Sequence, residues 1–146
     1  MVNLTKGPAI YAAYGFTLTI DGDGSLMAKG GENCAGIGGN PLSNCGNITI
    51  SGGDITAECG PSSGFGTQSS AAGIGGGIGG SVESITITSS VIRVKAIKGS
   101  GTKGYCIGMA AQGFAGWVTI GGTSYGEGVD SNQDDKQTYI YIGKGY

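Results

Sequence analysis

The chain has 146 residues, about one domain's worth, with 33 glycines and a charged share of only 12%. Those figures compare with a usual glycine content near 7% and a charged share near 25%. A hydrophobic share of 38% argues against disorder, 3 prolines exclude collagen, net charge −2 gives no electrostatic grip on nucleic acid, and no apolar run approaches the ~18 residues of a membrane span. Histidine is absent, which removes Ser-His-Asp and Cys-His catalysis and every imidazole metal site.

Residues 1–6 lack the apolar core of a signal peptide, yet a repeat is already under way by Ala9. The expectation is a domain cut from a longer precursor. The first unit opens at Ile10, continues through Leu18-Thr19-Ile20, turns at Asp21-Gly22-Asp23-Gly24 and resumes as Leu26-Met27-Ala28-Lys29. The second reads Ala35-Gly36-Ile37-Gly38, then Ile48-Thr49-Ile50, then Ile55-Thr56-Ala57-Glu58. The third reads Ala72-Gly73-Ile74-Gly75, then Ile85-Thr86-Ile87, then Ile92-Arg93-Val94-Lys95. The fourth reads Cys106-Ile107-Gly108 and Val118-Thr119-Ile120; after Gly122 the pattern fades into a loop over residues 125–136 and a last strand over 139–142.

Ile37 to Ile50, Ile74 to Ile87 and Ile107 to Ile120 are each 13 residues apart. The first copy, Ile10 to Ile20, is shortened to 10. Alternation of apolar and polar residues marks each segment as a half-buried strand, and no segment sustains a 3.6-residue period. Units too small to bury a face alone must stack. The expected fold is therefore all-β, a right-handed parallel β-helix (β-solenoid) of about four coils with about three short strands per coil. Residues 1–146 form a single domain with units near 9–36, 37–73, 74–106 and 107–146, the last irregular. The inward rows should be Ile10-Ile37-Ile74-Ile107, Ile20-Ile50-Ile87-Ile120 and Leu26-Ile55-Ile92, with glycines at the corners where tight turns need φ > 0. A hairpin-built β-sandwich is the rival, disfavoured by the constant offset.

The phrases Cys34-Ala35-Gly36-Ile37-Gly38-Gly39, Gly46-Asn47-Ile48-Thr49-Ile50-Ser51-Gly52-Gly53 and Ala71-Ala72-Gly73-Ile74-Gly75-Gly76-Gly77 resemble the glycine-rich repeats of surface proteins of gut bacteria. They are also similar to clostridial right-handed β-helix domains that bind acidic plant polysaccharide. The likeness spans most of residues 9–122. It implies an extracellular or cell-surface location within a larger precursor, and a binding or display role without catalysis.

Candidate sites follow from the outward positions. Thr19, Thr49, Thr86 and Thr119 form a threonine file, which suits exposed strands and could also bind ice or a repetitive glycan. Lys29, Glu58 and Lys95 should stack as a surface ion-pair ladder; read instead with Arg93, the cations Lys29, Arg93 and Lys95 make a basic groove for an acidic polysaccharide. A calcium-dependent lyase would need an acidic cluster beside that groove, and only Asp54 is near. Asp21 and Asp23 carry oxygen ligands at calcium-loop spacing, as Asp130, Asp134 and Asp135 do less regularly, although such runs are usually plain turns. Calcium is the one cofactor these residues could hold.

Tyr105, Phe114, Trp117 and Tyr125 crowd the last coil, and Tyr11 and Tyr14 flank the first corner. They either cap the solenoid or stack on sugars, with Trp117, Tyr105 and Tyr125 the ligand candidates. The spacings of Cys34, Cys45, Cys59 and Cys106 fit no zinc motif. A Cys34–Cys45 disulfide would staple residues 38–44; buried thiols are the alternative. The expected function is carbohydrate binding and adhesion, against a stalk with no ligand and against the lyase. Exposed parallel edges at both ends make dimeric or end-to-end packing an expected hazard.

Overall fold

The computed structural model describes residues 7–66 and 68–143. Strands β1 (Ile10–Tyr11), β2 (Thr17–Ile20) and β3 (Ser25–Lys29) make the first coil. The second is β4 (Ile37–Gly38), β5 (Asn44–Ile50) and β6 (Asp54–Glu58); the third is β7 (Ile74–Gly75), β8 (Ser81–Ile87) and β9 (Arg93–Ile97). A fourth coil begins with β10 (Ile107–Gly108) and β11 (Phe114–Ile120). The chain then folds back through β12 (Thr123–Ser124), β13 (Gly128–Val129) and β14 (Thr138–Ile142). The described residues contain no helix.

Three sheets result, in the orders β1-β4-β7-β10-β13, β2-β5-β8-β11-β12 and β3-β6-β9-β14. Pairing between successive coils is parallel throughout, so like residues stack. The fold is an all-β solenoid. It completes three coils and two faces of a fourth.

Two of the inward rows are as the spacing requires. Ile10, Ile37, Ile74 and Ile107 are in register on the short-strand face, and Ile20, Ile50, Ile87 and Ile120 on the long-strand face. Ile37, Ile50, Ile74, Ile87 and Ile107 have no exposed surface, whereas Ile10 and Ile20 in the first coil are half-buried. The third row differs from expectation: Leu26 and Ile55 align with Val94, not Ile92, and Ala28 and Ala57 with Ala96. The cause is turn length. Ile50 to Ile55 spans 5 residues and Ile87 to Val94 spans 7. The longer turn buries Val91, while the N–H groups of Ile92 and Arg93 both donate to Gly53 O.

The C-terminal end is not an open parallel edge. Strands β12, β13 and β14 each pair antiparallel with the last parallel strand of a sheet, so β14, the last strand expected over 139–142, and β13, from the expected loop, help close the stack. Val129, Tyr139 and Tyr141 pack on the core there. Lys98, only 3% exposed, anchors this cap: its Nζ donates to Asp130 Oδ1 at 2.7 Å and to Gly104 O at 2.9 Å. Asp135 accepts from the Gln137 and Thr138 N–H groups and from the Thr138 hydroxyl, and these bonds, the hydroxyl's first, hold its carboxyl below the ordinary carboxylate range.

Candidate functional site

The long-strand face breaks the simple alternation of strands. Its inward side chains are Cys45, Ile48 and Ile50 on β5, Val82, Ile85 and Ile87 on β8, and Ala115, Val118 and Ile120 on β11. Each strand therefore skips one residue between its first and second inward positions. Gly46, Glu83 and Gly116 stand at the skipped step, brought into one row by the pairs on either side. A Cβ at Gly46 would run into the Ala13 and Phe16 carbonyls, and one at Gly116 into the Glu83 carbonyl, so the backbone approaches too closely for any other residue.

The bend opens a groove of about 360 Å3, with Cys45, Val82 and Ala115 along its base and Tyr14, Asn44, Ser81, Glu83 and Phe114 at its sides. Asn44, Ser81 and Phe114 form one outward row; Thr17, Asn47, Ser84 and Trp117 form the next. Asn47 Nδ2 donates to Glu83 Oε2 at 3.3 Å, and Ser84 Oγ donates to Asn47 Oδ1. Aromatic rings flank this polar patch. Phe114 and Trp117 from the fourth coil are 67% and 63% exposed, and Tyr14 and Phe16 from the first are 59% and 71% exposed. Phe114 and Trp117 thus face outward, and the closing strands do the capping instead. The threonine file Thr19, Thr49, Thr86 and Thr119 runs in register on the same face.

The other candidates lie elsewhere. Tyr105 is half-buried against Gly128, and Tyr125 is in register with Val118 rather than Trp117. Tyr125 also touches Tyr139, whose hydroxyl is pushed up to about 12 by burial and then by Tyr125. Both belong to the C-terminal cap. The expected ladder Lys29, Glu58, Lys95 is cut short by the register shift, because Ile97 occupies the position expected for Lys95. Lys29 pairs with Glu58 at 3.5 Å, and Arg93 stacks on Asp54 with bonds of 3.1 and 3.4 Å. Two of the three cations of the basic groove are therefore matched by carboxylates, and Lys95 aligns with Thr56.

Asp21 and Asp23 are exposed in a turn where Asp21 Oδ1 accepts from the Gly22 N–H at 2.8 Å. Among the described residues no three acidic or cysteine side chains converge as metal ligands. The four cysteines are buried and reduced, and the Cys34–Cys45 disulfide is not formed. Cys45 Sγ instead donates to Gly75 O on the coil above, while Cys34 Sγ donates to Glu32 O. Burial, assisted by Glu32 and Glu83 respectively, pushes the Cys34 thiol up to about 11 and the Cys45 thiol up to about 12. Burial likewise takes Cys59 to about 11 and Cys106 to about 12.

A thiolate-specific reagent at pH 8 should accordingly leave all four cysteines unlabelled in the native protein and label all four in denaturant, since the thiolate fraction is about one in a thousand or less. Rapid native labelling would contradict this placement. Folded values above the ordinary one near 9 also give a sign for stability: the contribution is whole below pH 9 and is lost as pH rises toward 11–12.

With that geometry in place, comparison with known families adds one finding. The family model of the beta helix repeat matches residues 18–41 and 48–82, which cover most of β2, all of β3, β4, β6 and β7, the end of β5 and the start of β8. The match covers less than half of the chain and agrees with the stacked parallel coils. No curated protein and no solved structure matches the chain. The matched segments hold Ser81 and Val82 of the groove, whereas Tyr14, Asn44, Asn47, Glu83, Ser84, Phe114 and Trp117 lie outside them.

Proposed function

We propose that this β-helix domain is a non-catalytic carbohydrate-binding module, displayed outside the cell as part of a larger protein, and that the long-strand face is its binding surface. The supporting observation is the pair of exposed rings, Phe114 and Trp117, at one end of two polar rows whose other end carries Tyr14. Sugars offer apolar ring faces and a rim of hydroxyls, which matches rigid aromatics beside Asn, Ser and Thr side chains. Three inter-strand steps, roughly 14 Å, separate the first coil from the fourth, so an extended glycan can cross the two middle coils between the rings.

Trp117→Ala and Phe114→Ala should each weaken binding in affinity electrophoresis by about tenfold, the usual effect of removing a central aromatic anchor. Both positions are exposed, so the fold should melt within about 1 kcal/mol of wild type. Undiminished binding by both variants, or no binding of any glycan by the wild type, would leave the face without this role and favour the stalk.

A further inference from the structure

Glu83 is the one charged residue on β2, β5, β8 and β11 together; no Lys or Arg occurs on any of the four strands. Its carboxylate stands at the bend of the groove, half-buried, between glycines on the coils above and below. Gly46 and Gly116 place no side chain over it, so the neighbouring coils leave it approachable. One oxygen, Oε2, accepts from Asn47; among the described residues Oε1 has no hydrogen-bond partner. Asn47 is itself held by Ser84, which fixes the amide so that it presents its N–H to Glu83.

We infer that the groove selects glycans bearing a free amino sugar, whose ammonium is bound by Glu83 while adjacent rings stack on Phe114 and Trp117. The inference rests on the carbohydrate-binding reading and names its ligand class. A uronate-rich polymer would bring carboxylates against Glu83 with no cation on the face to receive them, an arrangement that costs affinity. An ammonium instead gains a charge-assisted hydrogen bond at a site partly screened from water. The sign of the face is thus opposite to what an acidic polysaccharide requires.

The test is a calorimetric titration of the whole chain with four oligosaccharides of equal length: deacetylated glucosamine, N-acetylglucosamine, glucose and galacturonate. The glucosamine oligomer should bind about fivefold more tightly than the glucose oligomer, the effect of one partly exposed ion pair, and the advantage should shrink in high salt. Glu83→Gln should abolish the advantage while leaving the weaker neutral binding in place. Glu32→Gln, which removes an exposed charge in the turn between β3 and β4, off the four strands of this face, should leave it unchanged and so controls for general attraction of a cation to an acidic protein. Equal binding of glucosamine and glucose oligomers, tighter binding of galacturonate, or an advantage that survives Glu83→Gln would each overturn the amino-sugar selection while preserving a glycan-binding role. No binding to any of the four would overturn both.

Discussion

Gly75→Ala is expected to destabilise the domain by about 2–5 kcal/mol, enough to unfold much of the population at 37 °C. Gly75 sits in the middle of the short-strand face, between Gly38 and Gly108, with φ +138. Its added Cβ would be driven into the carbonyl oxygen of Gly108, which belongs to the backbone and cannot swing aside. The left-handed conformation alone costs a non-glycine residue about 1–2 kcal/mol, and overpacking adds about 1–3 kcal/mol. Chemical denaturation followed by circular dichroism checks the outcome. A loss below ~0.5 kcal/mol would mean that the coils do not approach as described. Alanine at Gly22 is the contrast: its φ is also positive, at +106, but nothing lies within 4 Å of the new Cβ, so only the conformational cost applies.

Ile87→Ala is the second large effect, about 2–5 kcal/mol. Ile87 has no exposed surface, is stacked between Ile50 and Ile120, and belongs to the main core cluster with Val91 and Val94. Truncation leaves a cavity between backbones fixed by parallel hydrogen bonds above and below, which limits collapse. Ile20→Ala, in the same row but half-buried in the first coil, should cost roughly half as much, in line with burial. The pair measured together in the same denaturant series distinguishes a graded stack from a uniform core. Equal losses at both positions would contradict the gradient from the first coil to the third.

The stack itself is legible in the sequence because a solenoid repeats one local problem in every coil. The 13-residue interval from Ile74 to Ile87 carries both a corner and the next inward row, so two of the three ladders follow from counting. The third does not, since the turn between Ile87 and Val94 is two residues longer and nothing local says whether Ile92 or Val94 is the one to point inward. Val91 decides it by filling the turn. That shift also moved Lys95 out of the row of Lys29 and Glu58 and placed Arg93 on Asp54, dissolving the expected basic groove.

The candidate site was half visible. Trp117 stands out as the sole tryptophan, and its row with Thr17, Asn47 and Ser84 can be read from register. Glu83 and Asn44 could not be found by alternation, because strict period-2 reading puts Gly46 inward and misses the bend at which the groove forms. The available signal was the glycine at Gly46 and again at Gly116, on either side of Glu83 in the repeat alignment. Closure of the C-terminal end was hidden for a different reason. Antiparallel capping strands share no repeat with the coils, and their anchor, Lys98 with Asp130, joins residues remote in the chain.

The glycines that dominate the composition therefore set how closely the coils approach, and the few side chains that interrupt the pattern on one face supply the chemistry. The measurement that tests this most directly is amide chemical-shift mapping of the whole chain titrated with a glucosamine oligomer. Shifts confined to Tyr14, Asn44, Asn47, Ser81, Glu83, Ser84, Phe114 and Trp117, all on the long-strand face or its corner, are the predicted result. Shifts centred on Lys29, Arg93 and Lys95 across the molecule, or none at saturating ligand, would contradict it.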